Sequence, residues 1–124
     1  MENKTDNTFF GLSTPTGRSA TATIRISGKK TKTVLNKLTS GKLKNPKHRK
    51  SSVLNIYNKN NSLIDNVVVS FFKGPNSYTG EDLAEIHTHG NPIIISRVYS
   101  ALIGFGLRIA DPGEFTRAAY LNNK

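Results

Sequence analysis

The chain has 124 residues, no cysteine, a hydrophobic content of 35%, and eighteen Lys or Arg against eight Asp or Glu for a formal charge of +10. That length supports one domain with a modest core rather than two, and the absent cysteines exclude disulfides, thiolate chemistry and zinc fingers. No apolar stretch is long enough to span a bilayer and the polar start MENKTDNTFFG has no signal-peptide core, so a soluble cytoplasmic protein is expected.

In chain order, TFFGL (8–12) reads as a short strand, followed by the turn-rich STPTGRS with Pro15 and Gly17. ATATIRIS (20–27) alternates, with Ala20, Ala22, Ile24 and Ile26 on one face and Thr21, Thr23, Arg25 and Ser27 on the other. That is a half-buried strand with Arg25 on its polar side. Val34, Leu35 and Leu38 at helical spacing predict a helix over 30–40, stopped by Gly41. KLKNPKHRK is then a basic loop. SVLNIY and LIDNVVVSFF flank NKNNS as an antiparallel hairpin. GPNSYTG is a loop with strong breakers, and DLAEIHTH a further strand. Asn91 as N-cap and Pro92 at the first position open a helix whose apolar stripe is Ile95, Val98, Leu102 and Phe105, ended by Gly106. LRIA supplies one more short strand. In DPGEF, Asp111 reads as an N-cap, Pro112 as the first helical residue and Glu114 as the capping-box partner. This mixture of hairpins and crossovers predicts an α+β fold, a mixed and mainly antiparallel sheet with helices packed on it. The last helix has little room, so an N-terminal domain of something longer is expected.

The stretch GPNSYTGEDLAEIHTHGNP (74–92) gathers Glu81, Asp82, Glu85, His87 and His89. On a strand, Leu83, Glu85, His87 and His89 share a face, and one carboxylate with two imidazoles is a ligand set for zinc or non-haem iron. The plainer expectation is no metal, with Glu81 and Asp82 capping or solvating the loop. No catalytic residue emerges, because no nucleophile accompanies these groups. Phosphate-loop and dinucleotide signatures are absent. TPTGRS with Arg18 offers only a weak anion site. Residues 7–64 hold twelve Lys or Arg and no acid. Such a field suits RNA or another polyanion, and a stand-alone basic RNA-binding domain is the alternative reading. Its cations are not interleaved with aromatics, which argues against base stacking.

STPTGRSATATIRISG (13–28), FFKGPNSYTGEDLAEIHTHGNP (71–92) and GLRIADPGEFTRAAYLNNK (106–124) together resemble, in order and spacing, the N-terminal domain of the tRNA-modification GTPases of the MnmE/TrmE family. The resemblance covers essentially the whole chain as a single domain, 1–124. It implies an α+β module similar to the tetrahydrofolate-binding part of folate-dependent enzymes, which also forms a homodimer. It further implies a role in building the 5-carboxymethylaminomethyl-type group on the wobble uridine of tRNA, with a flavin-dependent partner of the MnmG/GidA type. The one-carbon unit comes from 5-formyltetrahydrofolate or another tetrahydrofolate derivative. The family's folate contacts fall on Arg25 in RIS, Glu85 in GED-x-x-E and Lys124 closing LNNK. A carboxylate such as Glu85 suits the amino-pyrimidine edge of a pterin, and Arg25 and Lys124 offer donors to carbonyls or to the glutamate tail. The competing role for Arg25 and Glu85 is a cross-strand salt bridge. Two departures stand out. The family's Gly-Gly after the histidine is Gly90-Asn91 here, and the helical and GTPase domains are missing, with the GTP, magnesium and potassium sites they carry. The expectation is that this chain alone does not hydrolyse GTP, and that it is a fragment or a split-gene product.

Overall fold

The computed structural model describes residues 7–13 and 20–124; the TPTGRS loop with Arg18 lies outside them. The elements are β1 (Phe9–Leu12), β2 (Thr21–Ser27), α1 (Thr31–Leu38), β3 (Lys50–Tyr57), β4 (Leu63–Phe72), β5 (Leu83–His89), α2 (Pro92–Gly104), β6 (Arg108–Ile109) and α3 (Glu114–Leu121). The strands form one sheet in the order β3-β4-β5-β2-β1-β6. Every neighbouring pair is antiparallel except β1 with β6. This is the expected α+β architecture.

The period-2 pattern decides which side of the sheet is covered. Ala22, Ile24 and Ile26 of β2 pair with Thr88, Ile86 and Ala84 of β5, and all six are buried. Val67, Val69 and Phe71 of β4 extend the same surface. Val34, Leu35 and Leu38 of α1 and Val98, Ala101 and Leu102 of α2 close over it. Each fully buried aliphatic side chain contributes about 1.5–3 kcal/mol, so this layer holds the fold together.

α2 begins as the sequence predicts, with Asn91 Oδ1 accepting from the Ile93 N–H at 2.8 Å and Pro92 in the first turn. Its buried stripe is rotated slightly from the expected one. Val98, Ala101 and Leu102 are buried in the core, with Ile94 and Phe105 packed against it, whereas Ile95 is half-buried outside that cluster. The small Ala101 lets the helix approach the sheet closely, a role that apolar spacing does not reveal.

α3 departs from expectation at its start. Asp111 is not the N-cap and Pro112 is not helical; the helix opens at Glu114, after Gly113 at φ 75°. The reach-back half of a capping box survives, because Glu114 Oε1 accepts the Asp111 N–H at 2.8 Å while the Glu114 N–H donates to the Asp111 carbonyl at 3.0 Å. The left-handed glycine between them ends the turn before the helix begins. α3 lies on the sheet face opposite α1 and α2. Its Phe115 ring meets Phe9 edge-on at 4.9 Å, and a Cβ on Gly11 would stand 3.4 Å from it.

At the end of β2, Gly28 takes φ +136°, and a Cβ there would fall 2.5 Å from Thr8 Oγ1 and 2.7 Å from the Thr8 Cα. Its N–H donates to the Asp82 carbonyl at 3.0 Å, fixing the exit of β2 against the entrance of β5. Gly28→Ala therefore meets both a forbidden backbone conformation and a backbone collision. A loss of at least about 1–3 kcal/mol is expected in urea unfolding. An unchanged midpoint would show that this crossing is not a constraint.

Candidate functional site

The face of β2 and β5 turned away from α1 and α2 carries the polar residues. The register pairs Thr21 with His89, Thr23 with His87, Arg25 with Glu85 and Ser27 with Leu83. Directly opposed residues share a face, so these pairs form a ladder across the middle of the sheet. Arg25 Nε donates to Glu85 Oε2 at 3.1 Å, with the two side chains 30% and 21% exposed. Glu85 Oε1 faces His87 Nε2 at 3.6 Å, beyond hydrogen-bond length. The other ring nitrogen of His87 is 3.0 Å from Thr23 Oγ1. Beyond Glu85 the row continues through Ser70 to Ser51, whose hydroxyls are 2.7 Å apart.

The GPNSYTGED segment forms the loop between β4 and β5 and stands over one end of this row. The Tyr78 ring lies 5.3 Å from the Arg25 guanidinium carbon, and its hydroxyl is 3.2 Å from Thr116 Oγ1 on α3. The loop is braced from inside and outside. Asp82 Oδ1 accepts the Gly74 N–H at 3.0 Å, and the Ser77 hydroxyl donates to the Glu81 carbonyl. Ser27 Oγ donates to Glu81 Oε1 at 3.0 Å and lies 2.8 Å from Thr79 Oγ1. Glu81 and Asp82 are thus loop residues, as expected, and they also hold the loop's shape. From α3, Asn122 Nδ2 donates to the Thr79 carbonyl at 2.9 Å, packed so closely that a Cβ on Gly80 (φ +82°) would come within 2.6 Å of the Asn122 Cβ.

Of the three residues picked from the sequence, Arg25 and Glu85 are in direct contact. Lys124 is exposed just beyond α3, its backbone N–H bonded to the Ala119 carbonyl at 2.8 Å. α3 carries it on the Arg25 side of the sheet, but among the described residues no hydrogen bond joins its side chain to the pair. The two histidines of the strand have separate partners. His89 Nδ1 is 2.9 Å from Asp65 Oδ1, and its backbone N–H donates to Asp65 Oδ2 at 3.0 Å. Burial works against the Asp65 charge, but these bonds and the Asn66 N–H together hold its carboxyl below the usual value. Among the described residues, no three His, Asp or Glu are grouped to hold a metal.

Sequence reasoning missed a second ion pair beside the site, in which only the carboxylate is buried. Arg108 of β6 forks onto Glu114, Nη1 to Oε1 at 2.8 Å and Nη2 to Oε2, while its Nε donates to Asn7 Oδ1 at 2.7 Å. The guanidinium also lies 5.3 Å from the Phe9 ring centre. The bonds from Arg108 pull the Glu114 carboxyl below its ordinary 4.5, against the opposing effect of burial. The pair locks β6 to the start of α3 and so fixes the helix that backs Tyr78. Asn7, Phe9, Lys29, Glu114, Arg117 and Asn122 are among the residues lining a cleft of about 450 Å³ there.

The family described as GTP-binding protein TrmE N-terminus matches residues 8–124. A tRNA modification GTPase MnmE from Francisella philomiragia is 44% identical over 120 residues, which is 97% of this chain and 26% of that protein. Proteins with the same description from Phenylobacterium zucineum and Granulibacter bethesdensis are each 44% identical over 95% and 94% of the chain. The chain spans about a quarter of the length of these relatives, 26% in each case. No described helix is long and apolar enough to cross a membrane.

The Arg108–Glu114 pair has a definite pH signature. A carboxyl lowered in the fold contributes its full stabilisation above its ordinary 4.5 and loses it as the pH falls through the lowered value. Between about pH 5 and about pH 3, the urea midpoint of Glu114→Gln should therefore fall less than that of the parent chain. Parallel pH profiles would show that Glu114 titrates normally.

Proposed function

The chain belongs to the family of the TrmE N-terminus, and from that premise we propose that it binds a reduced folate, forms a homodimer and serves wobble-uridine modification in tRNA. The observation that carries this reading is the Arg25–Glu85 row on the open sheet face. A pterin offers two adjacent N–H donors on its amino-pyrimidine edge, and a carboxylate accepts both. Glu85 supports this role because one of its oxygens holds Arg25 while the other has no hydrogen-bond partner among the described residues. Satisfied on both oxygens, it would be only a structural salt bridge. Partly exposed, the pair adds at most about 1 kcal/mol to stability, so stability alone gives little reason for two charges in mid-sheet.

Arg25 supplies N–H donors beside the carboxylate, and Tyr78 over the guanidinium limits where Arg25 points. Lys124, exposed beyond the end of α3, would meet an anionic or carbonyl group farther along the ligand. A bound 5-formyltetrahydrofolate or related derivative would supply the one-carbon unit; the chain's own residues bind and orient it. The same face exposes Val53 (68%) and Val68 (37%), opposed across β3 and β4. These apolar residues favour this face as the one a second copy covers. Action on tRNA and GTP hydrolysis elsewhere in a full-length protein are proposed from the descriptions of the relatives, and the MnmG/GidA-type flavoprotein partner and a cytoplasmic site from the family resemblance alone.

Isothermal titration with 5-formyltetrahydrofolate tests the ligand. Saturable binding is expected, weakened about 10- to 100-fold in Glu85→Ala, the loss of charged hydrogen bonds worth about 1.5–3 kcal/mol. Binding indifferent to Glu85→Ala sinks the assignment. For the dimer, sedimentation equilibrium should show two copies for the parent chain and one for Val68→Asp; a monomeric parent chain would remove the pairing.

A further inference from the structure

The helical side of the molecule has an electrostatic character of its own. Residues 7–64 carry twelve Lys or Arg and no acid, and α2 adds Arg97 and again no acid. Lys37 in α1, Lys42, Lys44, Lys47 and Arg49 in the connection to β3, and Lys59 in the β3–β4 turn are all exposed. Ser40 Oγ donates to Asn61 Oδ1 at 3.0 Å, so the end of α1 and that turn are contiguous.

Between the turn and α2 lies a cleft of about 240 Å³. Its polar lining is Asn58, Lys59, Asn60, Ser96, Arg97 and Ser100, over a floor that includes Ile64 and Ala101. Arg97 is fixed at the rim by its Nη2 donating to the Leu63 carbonyl at 3.0 Å. The Lys59 stem runs toward the end of α2, with its Cδ 3.7 Å from where a Gly104 Cβ would stand. Two cations, two hydroxyls and two amides converge, and among the described residues no carboxylate lines the cleft. The acid nearest in sequence, Asp65, has both oxygens engaged by His89. Such a donor set fits a phosphate group.

We propose that this cleft seats a phosphodiester of an RNA backbone, and that the lysines between α1 and β3 continue the track. A free phosphate ion would need the cleft alone, whereas the cations extend well past it. The choice of RNA among polyanions rests on the tRNA-modification reading above. Among the described residues no aromatic side chain lines the cleft, so recognition is of the backbone and not of base identity. The surface lies across the sheet from Arg25 and Glu85, so RNA and folate contact opposite sides of the domain.

Fluorescence anisotropy with labelled bulk tRNA tests this on the full chain, using Lys59→Gln and Ser100→Asp, both exposed, and Arg117→Gln on α3 as a control of equal charge change to the first. Lys59→Gln and Ser100→Asp should each weaken binding about three- to tenfold, and Lys59→Gln should lower the salt slope by about one. Arg117→Gln should bind as the parent does. Equal weakening by Arg117→Gln, or no effect at Lys59 and Ser100, overturns the site in favour of a diffuse field. Inorganic phosphate bound at the cleft, followed by NMR, without any tRNA affinity overturns the RNA occupant. Titration of 5-formyltetrahydrofolate into the same variants should be unchanged. A chain that binds folate but not tRNA refutes this inference and leaves the folate reading standing, and the converse result separates them the other way.

Discussion

The antiparallel register of β2 against β5 is the constraint on which the rest of the molecule depends. Seven consecutive pairs, from Thr21–His89 to Ser27–Leu83, run through the middle of the sheet. A slip of β2 by one residue would turn Ile24 and Ile26 to the open face and drive Arg25 under the helices, away from Glu85. The apolar layer makes that slip prohibitive, because it would expose the centre of the core and bury an unpaired charge. Stability and site are thus set by the same alternation. The side chains that hold α1 and α2 leave Arg25 and Glu85 opposed on the other face.

Much of this was readable from residues alone. The alternation in β2 and β5 is strict enough to assign both faces and to place Arg25 and Glu85 among the polar positions, and Asn91–Pro92 marks the start of α2 without ambiguity. What could not be read depends on contacts distant in sequence. The start of α3 is set by Arg108, which draws the Glu114 carboxylate back toward β6, so the local DPGEF pattern misplaces the cap by two residues. The pairing of His89 with Asp65 needs β4 beside β5, and no spacing within HTH announces it. Tyr78 and Asn122 were visible only as an aromatic among loop breakers and an amide in a terminal motif; their roles appear when α3 is laid against the loop.

The molecule separates its charges by face and by length along the chain. The acids among the described residues are nearly all committed: Glu85 to Arg25, Asp65 to His89, Glu114 to Arg108, Glu81 to Ser27 of β2 and Asp82 to its own loop. Committed acids do little to cancel the field of the lysines on the helical side. The net charge of +10 therefore overstates the basicity of the open face and understates that of the opposite one.

The bracing of the Gly74–Asp82 loop has a kinetic and entropic consequence. Its ends and middle are tied to β2 by Ser27 and Gly28, to itself by Asp82 and Ser77, and to α3 by Asn122. A segment held at so many points has little conformational freedom left to lose when something settles against Tyr78. It acts as a preformed wall and not as a closing lid, so association at this face should proceed near the rate set by encounter and orientation, without a slow loop-ordering step.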